Sequence, residues 1–146
     1  MAGKGSGLCL FQAHVNGDKL QSTLEKTMQL NHLNLSFVDV PAASAFFQQH
    51  FGFRVIGADN KAISVLEDSS GFVLVVSNFE KASEVSYPGA FHVGFIQETA
   101  AEVDAIYARM KADGVSLGEP PKKTPRGTTF YGMIQETVMF EVSSRE

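Results

Sequence analysis

The chain has 146 residues, of which 44% are hydrophobic and 19% charged, and its formal net charge is −4. This length fits one ordinary domain with a proper core, and the composition excludes a low-complexity or disordered chain. The single cysteine excludes an internal disulfide and a thiolate zinc cluster, and the absence of a broad basic stretch argues against nucleic acid as a partner.

The first 27 residues differ from the rest, and we interpret them as an N-terminal extension to a domain spanning residues 28–146. The longest apolar run in this extension, Leu8 to Phe11, is too short for the hydrophobic region of a secretion signal. No stretch of the sequence is apolar enough to span a membrane. We therefore expect a cytoplasmic protein that does not bind membranes.

Residues 28–79 follow a β-α-β-β-β pattern, which we call module one. Leu30 to Val38 alternates like a strand, with Leu33, Leu35 and Phe37 on one face. Asp39 is a predicted N-cap for the helix that follows, and Gly52 is a predicted left-handed stop. Three further strands are predicted in module one: Phe53 to Gly57, Ala62 to Glu67, and Phe72 to Ser77.

Residues 88–144 repeat the same plan and form module two. The strand Ala90 to Ile96 precedes a helix that begins with a capping box at Thr99 and Glu102 and ends at Gly114. A short strand after Val115 and a loop rich in Pro and Lys come next. The last predicted strands are Thr128 to Gly132 and Thr137 to Ser143. Because the same order of strands and helix occurs twice in the chain, we predict an α+β fold of two tandem modules.

The opening strand of each module carries a histidine on the face opposite its apolar residues. These histidines, His32 and His92, occupy equivalent positions of the repeat, and Glu141 lies on the corresponding face of the last strand. A strand histidine is usually packed or exposed, and a carboxylate on a terminal strand is usually solvated. Two imidazoles and one carboxylate, however, are also a ligand set for a divalent metal with open positions.

Three segments of the sequence resemble the vicinal oxygen chelate superfamily, which includes glyoxalase I, bleomycin-resistance proteins, fosfomycin-resistance thiol transferases and extradiol dioxygenases. These segments are NHLNLSFVDV, FHVGF and FYGMIQETVMFEV. The resemblance implies paired modules that form a cupped mixed sheet around a metal ion. It places His32, His92 and Glu141 on the first-strand histidine, the fifth-strand histidine and the eighth-strand glutamate, which are metal ligands in that family.

The same resemblance suggests residues that contact the substrate. Tyr131 shares the inward register of its strand and is a candidate catalytic donor or acid beside Glu141, the alternative being a tyrosine packed at the rim. Arg126, in the basic loop that also holds Lys122 and Lys123, is a candidate for binding an anionic group, although surface lysines are more often merely solvated. Asn34, on the polar face of the first strand, is a further candidate for substrate binding.

The resemblance implies an enzyme that uses Fe, Mn, Zn or Ni to bind a small oxygen-rich substrate, with lyase, isomerase, transferase or dioxygenase chemistry. The strand FVLVVS lacks the fourth ligand of glyoxalase I, which disfavours that activity in the strict sense. A fosfomycin-type thiol transferase and a metal-free small-molecule binding protein, like those of bleomycin resistance, are the alternatives. His50, at the end of the first helix, is expected to face the helix dipole rather than a metal.

We also expect a homodimer, because pairing with a second chain buries sheet edges. One arrangement would place His32 and Glu141 of one chain beside His92 of the other.

Overall fold

The computed structural model of the protein describes residues 28–146, and the predictions made for residues 1–27 lie outside the described residues. Module one consists of β1 (His32–Ser36), α1 (Val40–Phe51), β2 (Arg54–Asp59), β3 (Ile63–Glu67) and β4 (Val73–Ser77). Module two consists of β5 (His92–Gln97), α2 (Ala100–Ala112), β6 (Lys122–Thr124), β7 (Gly127–Ile134) and β8 (Val138–Ser144). None of the helices in this part of the chain is long and apolar enough to cross a membrane.

Both helices begin at the residues that the sequence indicates, and α1 also ends at the predicted glycine, whereas α2 ends at Ala112, two residues before the predicted Gly114. The carboxylate of Asp39 accepts a hydrogen bond from the backbone N–H of Ala42 (3.0 Å), and Gly52 ends α1 with φ 72°. Thr99 and Glu102 form the reciprocal capping box at the start of α2. These caps satisfy backbone groups that have no partner inside the helices, and they fix the residues at which the helices begin.

Each module forms its own four-stranded mixed sheet. The strand orders are β1-β4-β3-β2 and β5-β8-β7-β6, so the first strand of each module lies at a sheet edge beside the last strand of the same module. This neighbouring pair is parallel in both sheets, and the other pairs are antiparallel. The predicted α+β fold of two tandem β-α-β-β-β modules is confirmed, and its topology brings β5 and β8 into direct contact.

Two predictions about the region between α2 and β7 are wrong. The strand expected after Val115 is reduced to a single bridge between Leu117 and Gly132. The loop rich in Pro and Lys instead contains β6, which pairs with β7 through Lys122 opposite Thr129. Lysine is common on edge strands, where it discourages pairing with another sheet, so a basic segment can still be a short strand.

Aromatic residues of α1 join the two modules. On the side of module one, the ring of Phe47 packs edge-on against Phe37 and Phe53, with centroids 6.4 and 5.5 Å away. On the side of module two, Phe51 stacks on Phe95 with centroids 3.9 Å apart. Buried aromatic pairs of this kind stabilise a fold beyond their buried area, so α1 serves as core for both sheets.

Module two also holds both ends of α1 by hydrogen bonds. Arg109 of α2 donates to the carbonyl of His50 near the C-terminal end of α1 (2.9 Å). Gln135, in the turn between β7 and β8, donates to the carbonyl of Asp39 at the N-terminal end (2.8 Å). The two modules of the chain are therefore fastened together at two separated points.

Candidate metal centre and substrate cavity

Glu141 lies on the open face of β8. Its neighbours Val138, Phe140 and Val142 are at most 1% exposed and face the core, whereas 23% of the Glu141 side chain is exposed. The alternation of a strand forces these residues and Glu141 onto opposite faces. This apolar segment can hold a carboxylate because the Glu141 side of the sheet is not part of the core and remains partly exposed to solvent.

His92 reaches the same point from the neighbouring strand β5. Its Nε2 lies 3.5 Å from Glu141 Oε2, and its Nδ1 lies 3.0 Å from the carbonyl oxygen of Ala90. A hydrogen bond from Nδ1–H to that carbonyl orients the ring so that Nε2 is the nitrogen that faces Glu141. Metal-binding histidines are commonly held in this way, with the second ring nitrogen donating to a backbone carbonyl.

The space in front of Glu141 is open. Gly94 lies directly opposite Glu141 in the register of β5 and β8, and a methyl group built on Gly94 would meet no atom within 4 Å. A larger residue at this position would fill the area between His92 and Ile96. Room for a ligand beside the His92–Glu141 pair therefore comes from the sequence His-x-Gly-x-Ile of β5.

Tyr131 flanks Glu141 on the other side. The two residues are directly opposite in the register of β7 and β8. The pKa of the Tyr131 hydroxyl is raised, first by its hydrogen bond to the Glu141 carboxylate and then by burial, while Arg126 opposes this shift. The hydroxyl is therefore protonated at neutral pH and can donate a hydrogen bond.

A cavity of about 480 Å³ opens over this face of module two. Glu141 and Tyr131 line it together with three basic side chains, Lys122, Arg126 and Arg145. The volume suits a small-molecule ligand, and the three basic side chains outnumber the two carboxylates of the lining, Glu119 and Glu141, which favours an anionic one. Lys123, which the sequence also suggested for the mouth of the site, is not among the lining residues.

His32 and Asn34 lie on β1 of module one, and both are exposed. Between residues 28 and 146 of one chain, no three His, Cys, Asp or Glu side chains are close enough together to hold a metal ion. The structure thus brings His92 and Glu141 together, and His32 does not join them within one chain. The arrangement with Glu141 and His92 on different chains is wrong, because β5 and β8 are neighbouring strands of one sheet.

The two residues that meet fit a divalent ion as two of its ligands. Imidazole nitrogen and carboxylate oxygen suit Zn, Fe, Mn and Ni, and both atoms belong to groups oriented by the strands that carry them. A separation of 3.5 Å lies in the range expected for two atoms that bind one ion at about 2.0–2.2 Å each.

The sequence prediction missed Arg145 and Ile96, which both line this cavity. Ile96 lines the cavity and is 57% exposed, although it is a large apolar side chain. It continues the i, i+2 alternation of His92 and Gly94, so its position on the open face was already present in the pattern. An exposed isoleucine beside an acidic and a basic group gives the cavity an apolar wall.

The described domain is similar to known proteins in both sequence and structure. Residues 29–140 match the sequence model of the glyoxalase/bleomycin resistance protein/dioxygenase superfamily. No protein with a curated description matches the chain. Among solved structures, a possible glyoxalase from Bacillus cereus is 40% identical, and the similarity covers 80% of this chain and 99% of that one, with a TM-score of 0.71.

Two more distant structures share the fold. The lactoylglutathione lyase from Agrobacterium tumefaciens is 17% identical with a TM-score of 0.67, covering 82% of this chain and 96% of that one. The genomically encoded fosfomycin resistance protein FosX from Listeria monocytogenes is 24% identical with a TM-score of 0.64, covering 81% and 93% of the two chains.

Proposed function

Because the chain belongs to the glyoxalase/bleomycin resistance protein/dioxygenase superfamily, we propose that it is a metal-dependent enzyme acting on a small oxygen-rich substrate. The observation that carries this proposal is the His92–Glu141 pair, whose Nε2 and Oε2 atoms are 3.5 Å apart beside an open cavity. Imidazole nitrogen and carboxylate oxygen are both ligand types for first-row divalent ions, so this pair supports a bound ion, proposed to be Fe, Mn, Zn or Ni.

The third ligand in this proposal is His32 of a second copy of the chain. His32 is exposed on the edge strand of its sheet, where another molecule can approach it. Each homodimer would then hold two equivalent sites, each built from His92 and Glu141 of one chain and His32 of the other. Three protein ligands leave positions for substrate oxygens, as in other catalytic metal sites.

The bound ion would supply Lewis acidity for a carbonyl or for two neighbouring oxygens of the substrate. Glu141 and the two histidines would hold it, and Glu141 also accepts the hydrogen bond of Tyr131. Tyr131 would serve as the catalytic donor that stabilises negative charge developing on the substrate. Its raised pKa keeps the proton on the hydroxyl for this role.

The substrate is proposed to carry an anionic group as well as chelating oxygens. Arg126, Lys122 and Arg145 surround the same cavity as Glu141, and guanidinium groups bind carboxylate and phosphate geometrically well. Asn34 would bind the substrate from module one. Neither nucleic acid nor membrane is a proposed partner, and the cytoplasmic location expected from the sequence remains a prediction.

Two alternatives use the same cavity differently. A thiol transferase of the fosfomycin type is compatible with its three basic side chains, and it would also need the metal. A metal-free small-molecule binding protein would use the cavity and its apolar wall, formed in part by Ile96, without the ligand set. Metal dependence therefore separates the binding protein from the enzymes.

The experiment that tests the proposal is elemental analysis of protein purified without a histidine tag, followed by calorimetric titration of the metal-free protein with Zn²⁺, Mn²⁺, Ni²⁺ and Fe²⁺. We expect one ion bound per chain. A protein that binds none of these ions, but binds small molecules in the cavity, would overturn the enzyme proposal in favour of the binding protein.

A further inference from the structure

The open face of module two is arranged in rows of side chains that run across its strands. Glu141 of β8 and Tyr131 of β7 are register partners and form one row. Two residues away along the strands is a second row of successive register partners, which from β5 to β6 are Ile96, Ser143, Thr129 and Lys122. Side chains two residues apart on a strand share a face, so both rows face the same cavity, and the side chains of both rows line it.

The second row is apolar at one end and basic at the other. Ile96 lies at the β5 end and Lys122 at the β6 end, and three strand spacings separate their backbones by roughly 14 Å. Arg126, in the turn between β6 and β7, adds a second positive charge at the basic end, and Arg145 follows β8 in the middle of the sheet. A ligand that spans the cavity along this row therefore meets an apolar and a cationic environment at its two ends.

The apolar end has room for a ligand group. Ile96 is opposite the small residue Ser143 in the register of β5 and β8, and Gly94, two residues before Ile96, has no atom within 4 Å of an added methyl group. A ligand group over Ser143 and Gly94 would contact Ile96 without displacing a larger side chain. Ser143 and Glu141 are about 7 Å apart along β8, so this space begins directly beside the proposed metal ligand.

We propose that Ile96 is a specificity-determining residue that selects substrates with an alkyl or aromatic substituent attached next to the chelating oxygens. The inference rests on the proposed function, because an ion at His92 and Glu141 would hold those oxygens. The substituent then lies over Ser143 against Ile96, where its burial removes apolar surface from water. The anionic group extends toward Lys122 and Arg126, so the substrate class is a small amphiphilic acid.

A second exposed isoleucine provides a matched control. Ile56 lies on β2 of module one, is 44% exposed, and does not line the cavity of Glu141 and Tyr131. Both isoleucines belong to edge strands of four-stranded sheets. Replacing either one by serine removes the same apolar side chain from an exposed strand position, but only Ile96 is beside the proposed metal site.

The test compares two hydroxamates that bind metals through the same pair of adjacent oxygens, with affinity for Zn²⁺-loaded protein measured by calorimetry. Acetohydroxamate carries a methyl group and benzohydroxamate a phenyl group. The parent should bind benzohydroxamate about tenfold more tightly, since burial of roughly 55 Å² of apolar surface has about that effect. Ile96→Ser should reduce this ratio to about twofold or less, with the affinities for acetohydroxamate and Zn²⁺ unchanged. Ile96→Val should retain most of the ratio, and Ile56→Ser all of it.

The inference is overturned if Ile96→Ser and Ile56→Ser give the same ratio of the two affinities, or if the parent does not prefer benzohydroxamate. It is also overturned if Ile96→Ser weakens both hydroxamates equally and light scattering shows a changed oligomeric state, because Ile96 then belongs to a contact with a second chain. Zn²⁺ still binds in all these outcomes, so the proposed metal site stands. A parent protein that binds no Zn²⁺ overturns the proposed function itself, and the role of Ile96 with it.

Discussion

His92 and Glu141 lie on neighbouring parallel strands, with Nε2 and Oε2 3.5 Å apart on the open face of module two. The imidazole is oriented by the carbonyl of Ala90 behind it, so its Nε2 atom and the carboxylate converge on the same space. Such a pair is electrostatically favourable only when a proton or a cation lies between the two groups. The local geometry of a single sheet thus creates two thirds of the proposed metal site.

The first prediction concerns the three ligands. His32→Ala, His92→Ala and Glu141→Gln should each weaken divalent metal binding by at least about 100-fold, since even the loss of a ligand's hydrogen-bond partner can cost that much. Calorimetric titration with Zn²⁺ measures the affinity, and circular dichroism checks the fold. His50→Gln is the matched control, because His50 lies at the end of α1 and should not affect the metal. Three variants that all bind like the parent would refute the ligand assignment.

The second prediction concerns Tyr131. Tyr131→Phe should lower turnover of any substrate found by screening by about 10²–10³, the usual cost of one preorganised donor, while metal content stays at the parent level. The ring is retained, so its edge-on packing against His92, with centroids 6.2 Å apart, is preserved. Tyr107→Phe is the control, because the Tyr107 ring packs on Phe130 in the core. Equal turnover in the two variants would make Tyr131 a structural residue.

The third prediction concerns the basic side chains of the cavity. Arg126→Ala should raise the Michaelis constant for an anionic substrate about tenfold or more, with little change in turnover, if it binds the anion before and during reaction alike. Lys123→Ala is the control, because it removes a nearby positive charge whose side chain does not line the cavity. The Michaelis constant of this variant should stay near that of the parent. Indistinguishable effects of the two substitutions would show that only the overall charge matters.

The fourth prediction concerns stability and His50. This imidazole is 8% exposed, its Nδ1 has no hydrogen-bond partner, and burial lowers its pKa from 6.5, with Asp113 opposing the shift. Above pH 6.5 the side chain is neutral whether the chain is folded or unfolded. As the pH falls below that value, the unfolded chain takes up the proton more readily, so the free energy of unfolding should decrease.

Urea denaturation at pH 7.5 and 5.5 measures this effect. The decrease in the free energy of unfolding should be smaller for His50→Gln than for the parent. It should be larger for Asp113→Asn, because the carboxylate that favours the protonated form is removed. A parent and a His50→Gln variant with identical pH dependence would show that His50 is not linked to folding.

The sequence was sufficient for most of the fold because the deciding signals are local. Asp39, Gly52 and the Thr99–Glu102 capping box act within one helical turn, and alternation placed Glu141 on the correct face of its strand. The turn before β8 is different. Gln135 and Glu136 adopt φ values of 51° and 53°, and Gln135 is held by a hydrogen bond to Asp39, 96 residues away in sequence. A contact of that range leaves no local signal.

The same distinction applies to the site. His92 and Glu141 could be predicted to lie on open faces because alternation places each of them opposite the apolar face of its own strand. The hydrogen bond between Ser77 and Asn34 could not be predicted, because it joins two strands at residues 43 apart in sequence.

His50 lies in the last turn of α1 as expected, but a positive charge on it is disfavoured. Phe46 and Asp113 contact the ring, and burial lowers its pKa and so opposes the charge that the helix dipole would favour.

The measurement that tests the central claim most directly is metal binding by mixed variants. His32→Ala and His92→Ala, each unable to bind metal alone, should regain about a quarter of the parent's metal per chain after equal mixing and subunit exchange, since half of the dimers then carry one intact site. His92→Ala mixed with Glu141→Gln should regain none, because both ligands belong to one sheet. Metal restored in the second mixture, or absent from the first, would contradict a site completed by His32 of a second chain.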